Sequence, residues 1–308
     1  MEDNILKRIL AISLMLLLCL GLACLAFAEE ADPTIEEGYT TEGDGWTSVV
    51  SWCKNGELNI YGKFYYPEGF DASASYPTVI MSHGLGSTAQ MVERAKWPQA
   101  AVAEGFVVYA FDFCGGSLNS KSDKTFYEMS VLTEVSDLNA VMDFVKSQPY
   151  VDTDNLFLFG QSQGGFVSAL TAAERAEEVK AMVLVYPAFC LVDDLHTFIP
   201  DLSEVTGDRV ETAMGMLGAV YAQDAYDIDV MGTIAGYTGD VLIIHGLEDR
   251  TVPLSYSLEA VSTAYSEAAS ELVVITGKKS AHGFEMVYDQ GREYALSAGV
   301  DFLNKHIG

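Results

Sequence analysis

Positive charge is scarce in this sequence: 17 Lys and Arg stand against 44 Asp and Glu, a formal net charge of -27. So acidic a chain repels phosphate backbones and anionic membrane surfaces, and nucleic acid is not an expected partner. The charge otherwise describes a well-solvated surface and says nothing about chemistry. Cysteine is scarce too, with five among 308 residues. No two form a CxxC pair and no His/Cys cluster occurs, so neither a structural zinc site nor a disulfide framework is expected. Two of the five, Cys19 and Cys24, fall in an N-terminal apolar run. Cys53, Cys114 and Cys190 remain, widely spaced and odd in number, and read as buried thiols with at most one bridge. Internal repeats and low-complexity tracts are also missing.

What is present is apolar. With 49% hydrophobic residues the chain can build a sizeable core, as one large α/β domain or two smaller ones. Lys7 and Arg8 precede the run from Ile9 to Ala28, which closes on Leu25-Ala26-Phe27-Ala28 before Glu29-Glu30. Residues 1–28 therefore read as a signal peptide, and the protein as secreted or extracytoplasmic. The alternative keeps the run as a membrane anchor, since about 20 apolar residues can span a bilayer. An exposed, acidic lead-in follows over residues 29–45, and the folded domain is expected over 46–308.

Segments near 46–53 and 57–66 alternate apolar and polar residues, as antiparallel strands with one wet face do, with a hairpin through Lys54-Asn55-Gly56. Beyond Pro77 the pattern becomes short continuous apolar runs: 78–81, 106–113, 156–159, 181–186, 241–244 and 272–276. Strands buried on both faces look like this. Between them, 129–147, 165–176, 255–268 and 291–305 carry apolar residues at helical spacing. The alternation predicts an α/β fold with a mostly parallel central sheet flanked by helices. About fifty residues between Pro187 and Tyr237 break the rhythm. This stretch, rich in Leu, Met, Phe, Tyr and Val, reads as an inserted cap over about 188–238, with a helix-like piece at 210–222.

Gly160-Gln161-Ser162-Gln163-Gly164 fits G-x-S-x-G, in which a serine occupies a strained turn between strand and helix. A serine hydroxyl needs a base to take its proton, and the base needs an acid to orient it. Acid then histidine is the order expected downstream. Asp249 lies in the loop after the 241–244 strand and His282 in the loop after the 272–276 strand. Ser162, Asp249 and His282 thus each follow the C-terminal end of a different strand, where open α/β sheets gather ligands. Asp249 could instead cap a helix near Leu254 or pair with Arg250, and Glu248 is an adjacent rival. His83 and His245 also follow strands but precede the acid, while His196 falls in the cap and His306 in the last helix. An oxyanion needs backbone N–H donors already aimed at it. Gln163 supplies one, and Leu85, in the glycine-flanked loop Ser82-His83-Gly84-Leu85-Gly86, is the candidate for the other.

HGLG at 83–86, GQSQGG at 160–165, HGLEDRTVP at 245–253 and AHGF at 281–284 together resemble the α/β-hydrolase superfamily across residues 57–306. Within it the chain is most similar to bacterial cinnamoyl (feruloyl) esterases, through the Ser-Gln-Gly-Gly elbow, Phe111-Asp112-Phe113 and the Val131-Leu132-Thr133-Glu134 helix start. The resemblance implies hydrolysis of carboxylic esters through an acyl-serine intermediate, without metal or organic cofactor, on small-molecule esters with small or aromatic (hydroxycinnamoyl-type) acyl groups. Gln161 replaces a histidine common in that family, Phe113-Cys114-Gly115-Gly116-Ser117 replaces a loop that usually carries Asn and His, and Leu85 stands where an aromatic is frequent.

The alternative expectation is a serine peptidase of the prolyl-oligopeptidase-like group, which shares elbow and triad order; no propeller-sized region precedes the domain, which weighs against it. A scaffold that merely keeps the fold would be expected to lose a triad member.

Overall fold

Apolar runs with no polar face can be buried on both sides only inside a layered sheet. The computed structural model, which describes residues 36–308, lines them up in that way. The signal-peptide or anchor segment at 1–28 lies outside the described residues. The strands of the main sheet are β1 (Thr40–Gly43), β2 (Trp46–Val50), β5 (Gly62–Pro67), β6 (Tyr76–Ser82), β7 (Val107–Phe111), β8 (Val151–Gln161), β9 (Ala181–Val185), β12 (Asp240–Gly246) and β13 (Glu271–Ile275). Their spatial order is β1-β2-β5-β7-β6-β8-β9-β12-β13. From β7 to β13 every neighbouring pair is parallel; β1, β2 and β5 extend the sheet in antiparallel fashion. β7 and β8 flank β6 on opposite sides, so the chain reverses its winding at β6. A crevice opens at such a switch point, beyond the carboxyl ends of the strands.

Alternate residues of each strand face opposite layers. Ile80, Tyr109, Leu158, Met182 and Ile243 pack in one core, and Met81, Val108, Phe159, Val183 and Ile244 in the other. The first layer holds helices α3 (Val131–Lys146) and α4 (Gln163–Glu174). The second holds α1 (Ala89–Arg94), α2 (Trp97–Ala103) and the C-terminal helix α10 (Asp289–Lys305).

Three local expectations outside the 188–238 insertion are corrected. The lead-in is not wholly outside the fold, because Thr40–Gly43 pairs with β2 as a mostly exposed edge strand. The two alternating segments each split in two. β3 (Cys53–Asn55) and β4 (Leu58–Ile60) form a separate ribbon whose two-residue loop holds Gly56 at φ +58°, while β2 and β5 stay in the main sheet. The split is fixed by Tyr109, whose hydroxyl donates to Ser51 O (2.8 Å) and whose ring lies where a Cβ on Gly62 would stand, 2.3 Å away. Last, the helix expected at 255–268 is α8 (Leu254–Ser262); the hydroxyls of Ser262 and Thr263 both bond to Glu259 O and compete with the next turn.

Between β9 and β12 the chain forms α5 (Leu191–Phe198), β10 (Arg209–Thr212), β11 (Gly215–Gly218), α6 (Ala219–Ala225) and α7 (Val230–Ile234). The helix-like piece at 210–222 is in fact the β10–β11 hairpin followed by α6. Its apolar spacing fits a helix, but Gly215 at φ +98° turns the chain, and the Thr212 hydroxyl, donating to Gly215 O (2.9 Å) and accepting from Met214 N–H (3.1 Å), holds the turn. Leu195, Leu217, Tyr221 and Ile234 share the core of α3 and α4, so the insertion is part of the body of the fold.

Candidate active site

β8 ends at Gln161 and α4 begins at Gln163, so Ser162 alone makes the turn, at φ +52° and ψ -121°. A non-glycine residue holds such a backbone only when its surroundings over-determine it. They do so through close packing. A Cβ on Gly160 would lie 2.3 Å from Gly164 O, one on Gly164 would lie 2.2 Å from His83 O, and one on Gly165 would lie 3.0 Å from Pro187. Hydrogen bonds complete the clamp: Ser162 N–H donates to Val185 O (3.0 Å), and Ser162 O accepts from Gly165, Phe166 and Ala188.

The loops after β12 and β13 bring two more groups to the serine. His282 Nε2 is 3.1 Å from Ser162 Oγ, and its Nδ1 is 2.7 Å from Asp249 Oδ2. Asp249 is buried, and its Oδ1 accepts from the N–H groups of Thr251 and Val252, both at 2.9 Å. Burial raises the Asp249 pKa, but the His282 imidazole, the Val252 amide and His245 outweigh it and hold the carboxyl below its ordinary value. The rival Glu248 is exposed.

The other histidines are engaged elsewhere. His83 is buried, bonded at Nδ1 to Gly84 O (2.8 Å), and accepts at Nε2 from Phe113 N–H (3.0 Å); burial lowers its pKa, as a neutral ring requires. It ties the loop after β6 to the loop after β7. His245 is bonded to Ser257 Oγ (2.7 Å) and Val252 O (2.9 Å), and its Nε2 lies 3.6 Å from Asp249 Oδ2. His196 bonds to Tyr226 O and His306 to Asp240 and Phe302 O.

Leu85 and Gln163 line one pocket with Ser162, and their N–H groups have no acceptor among the described residues. The loop comes this near because residue 84 is glycine: a Cβ there would stand 3.0 Å from Ser162 Cβ. The cap supplies much of the rest of the pocket, including Leu191, Leu195, Met214 and Tyr221, around a cavity of about 40 Å³. Among the described residues no group of three or more His, Cys, Asp and Glu side chains could hold a metal ion.

Two buried polar clusters beside the serine were not foreseen from the sequence. Gln163 Nε2 donates to Glu134 Oε2 (2.8 Å), and Tyr221 OH donates to Gln163 Oε1 (2.6 Å). Glu134 is 1% exposed and its second oxygen has no hydrogen-bond partner among the described residues; burial pushes its pKa well above the ordinary value. Glu134 was detectable in principle, as an acid on the apolar face of α3 with Val131 and Leu138. On the far side of the serine, Glu285 Oε1 accepts from Gln161 Nε2 (2.7 Å) and from Tyr186 OH, and the Tyr186 ring lies 4.3 Å from that of His282. No sequence pattern marks Glu285, which sits on the four-residue helix α9 (Phe284–Val287).

Residues 94–308 match the prolyl oligopeptidase family. The chain is 25% identical over 173 residues to the alpha/beta hydrolase domain-containing protein WAV2 of Arabidopsis thaliana, covering 56% of this chain and 54% of WAV2. It is 31% identical over 143 residues to prolyl endopeptidase FAP of Mus musculus, covering 45% of this chain and 19% of FAP. The chain thus spans only part of either relative. Among solved structures, Est1E from Butyrivibrio proteoclasticus with ferulic acid bound superposes with a TM-score of 0.71 at 23% identity, over 83% of this chain and 98% of Est1E. That likeness shows the fold, an α/β hydrolase.

Proposed function

This chain belongs to the prolyl oligopeptidase family, and we propose that it is a serine hydrolase cleaving carboxylic esters through an acyl-serine intermediate, with Ser162 as nucleophile. The observation that carries the proposal is the unbroken line of bonds from Ser162 Oγ through His282 to the buried Asp249. His282 Nε2 takes the hydroxyl proton as Oγ attacks the carbonyl carbon. Nδ1–H donates to Asp249, whose charge stabilises the imidazolium that forms. The tetrahedral oxyanion is met by the N–H groups of Leu85 and Gln163, which have no other acceptor among the described residues. The imidazolium then protonates the leaving alcohol, and water repeats the sequence in reverse roles to free the acid. Small or aromatic acyl esters are the substrates proposed, and export through residues 1–28 belongs to the same proposal.

The family match and the likeness to FAP favour a second reading, a serine peptidase of the prolyl-oligopeptidase-like group. Both readings share Ser162. A fluorophosphonate should label the wild-type protein at Ser162, and Ser162→Ala should abolish labelling and lower turnover by roughly 10⁴ to 10⁶. A Ser162→Ala protein that keeps most of its activity removes both readings. Faster cleavage of prolyl amides than of p-nitrophenyl esters selects the peptidase.

A further inference from the structure

The pocket beside Ser162, partly open to solvent, takes the acyl side of a substrate. A leaving alcohol must lie against His282, which has to protonate it. His282 does not line the pocket, whereas Ser162 and both oxyanion-donor residues do. With the carbonyl oxygen between Leu85 N–H and Gln163 N–H and the leaving group over the imidazole, the remaining substituent enters the cavity.

That cavity is small. At about 40 Å³, and with a water needing about 10–15 Å³ on the same measure, it holds roughly three or four water-sized groups. A hydroxycinnamoyl group, a three-carbon acyl chain bearing a substituted ring, is far larger.

The wall is also held in place. Tyr221 of α6 is tied through Gln163 to Glu134, and all three side chains are buried. The β10–β11 turn that carries Met214 is closed by the Thr212 hydroxyl. The hairpin's far end is pressed on the 126–128 turn: a Cβ on Gly218 would stand 1.8 Å from Tyr127 O, and the Arg209 guanidinium lies 3.8 Å from the centre of the Tyr127 ring. Tyr221 cannot swing out of the pocket without stranding buried polar groups of the elbow itself.

Resting on the serine-hydrolase reading and narrowing its small-or-aromatic substrates to the small ones, we propose that the site accepts only short acyl groups, of about two to four carbons, and that Met214 and Tyr221 of the cap set the limit. The acyl range is a property of the cap, written into the same bonds that seat the oxyanion residue Gln163.

The test is an acyl-length series: p-nitrophenyl acetate, butyrate and octanoate with methyl ferulate, rates being normalised to the fraction of protein labelled by a small alkyl fluorophosphonate. For the wild type, kcat/KM should fall by at least about tenfold from butyrate to octanoate. Met214→Ala should raise the octanoate-to-acetate ratio by about tenfold, and Ala213→Leu, which fills the same pocket from the same turn, should lower the butyrate-to-acetate ratio. Octanoate or methyl ferulate turned over as fast as acetate by the wild type overturns the inference. An unchanged acyl profile in both labelled variants overturns the role of the turn. Absence of fluorophosphonate labelling in the wild type brings down the serine-hydrolase reading instead, so the two failures are told apart.

Discussion

Three carboxyl groups close to Ser162 have been given opposite properties by their surroundings. Asp249 is held below its ordinary pKa chiefly by His282 and the Val252 amide acting against burial. A depressed carboxyl stabilises the fold above its unfolded pKa of about 3.9, and that contribution is lost as pH falls through the folded value. Burial lifts Glu134 and, against the Tyr186 hydroxyl and His282, Glu285. A raised carboxyl binds its proton more tightly in the folded state, so stability falls as pH rises from the unfolded pKa of about 4.3 up to the folded value. Glu134→Gln and Glu285→Gln, which are neutral at every pH, should flatten this decline. Urea unfolding at a series of pH values reads the slope, and variants that lose stability with pH as steeply as the wild type would show that neither acid carries the proton. Ser162, Asp249 and His282 were legible in the sequence because each follows a strand end in the required order. The partners of Gln163 and Gln161 were not, because a side-chain bond between residues 134 and 163, or 161 and 285, leaves no local pattern.

At the level of elements, the strand-turn-helix around Ser162 was legible and the cap was not. A continuous apolar run before the serine and helical spacing after it specify β8 and α4, and the glycines between them admit one geometry. Gly164→Ala places a methyl group 2.2 Å from His83 O, a backbone atom fixed by β6, so the elbow must open. The expected outcome is a protein destabilised by about 1–3 kcal/mol or more, with fluorophosphonate labelling lost out of proportion to folded content by circular dichroism. Full labelling would show that the elbow tolerates the shift. In the cap, apolar spacing at 210–222 fits a helix as well as a hairpin. Gly215, the Thr212 hydroxyl and the contact of Gly218 with Tyr127 decided for the hairpin, and the last of these is a contact across about ninety residues.

For the whole molecule, the imbalance of 44 acidic against 17 basic side chains opposes compaction through self-repulsion. Salt screens that repulsion within about 10 Å at 0.1 M. Raising sodium chloride from about 0.01 to 0.3 M should therefore raise Tm by a few degrees at neutral pH, followed by calorimetry; a falling Tm would mean that favourable ion pairs dominate instead. Favourable pairs oppose this at one place, where Arg175 and Lys146 both meet Glu178; Lys305–Glu271 and Arg292–Asp289 are solvent-exposed on at least one side, where ion pairs contribute little. Among the described residues no helix is long and apolar enough to cross a membrane.

The sequence by itself determined the layered α/β body, the turn that exposes Ser162 and the order of acid and histidine behind it, because strand and helix periodicity and glycine geometry act over a few residues. Only the tertiary structure decided the size of the pocket beside Ser162, the hairpin form of the cap and the bonds that hold Gln163 and Gln161. Those depend on volumes left between elements and on polar groups that must find partners once buried, quantities that do not exist until the chain has closed.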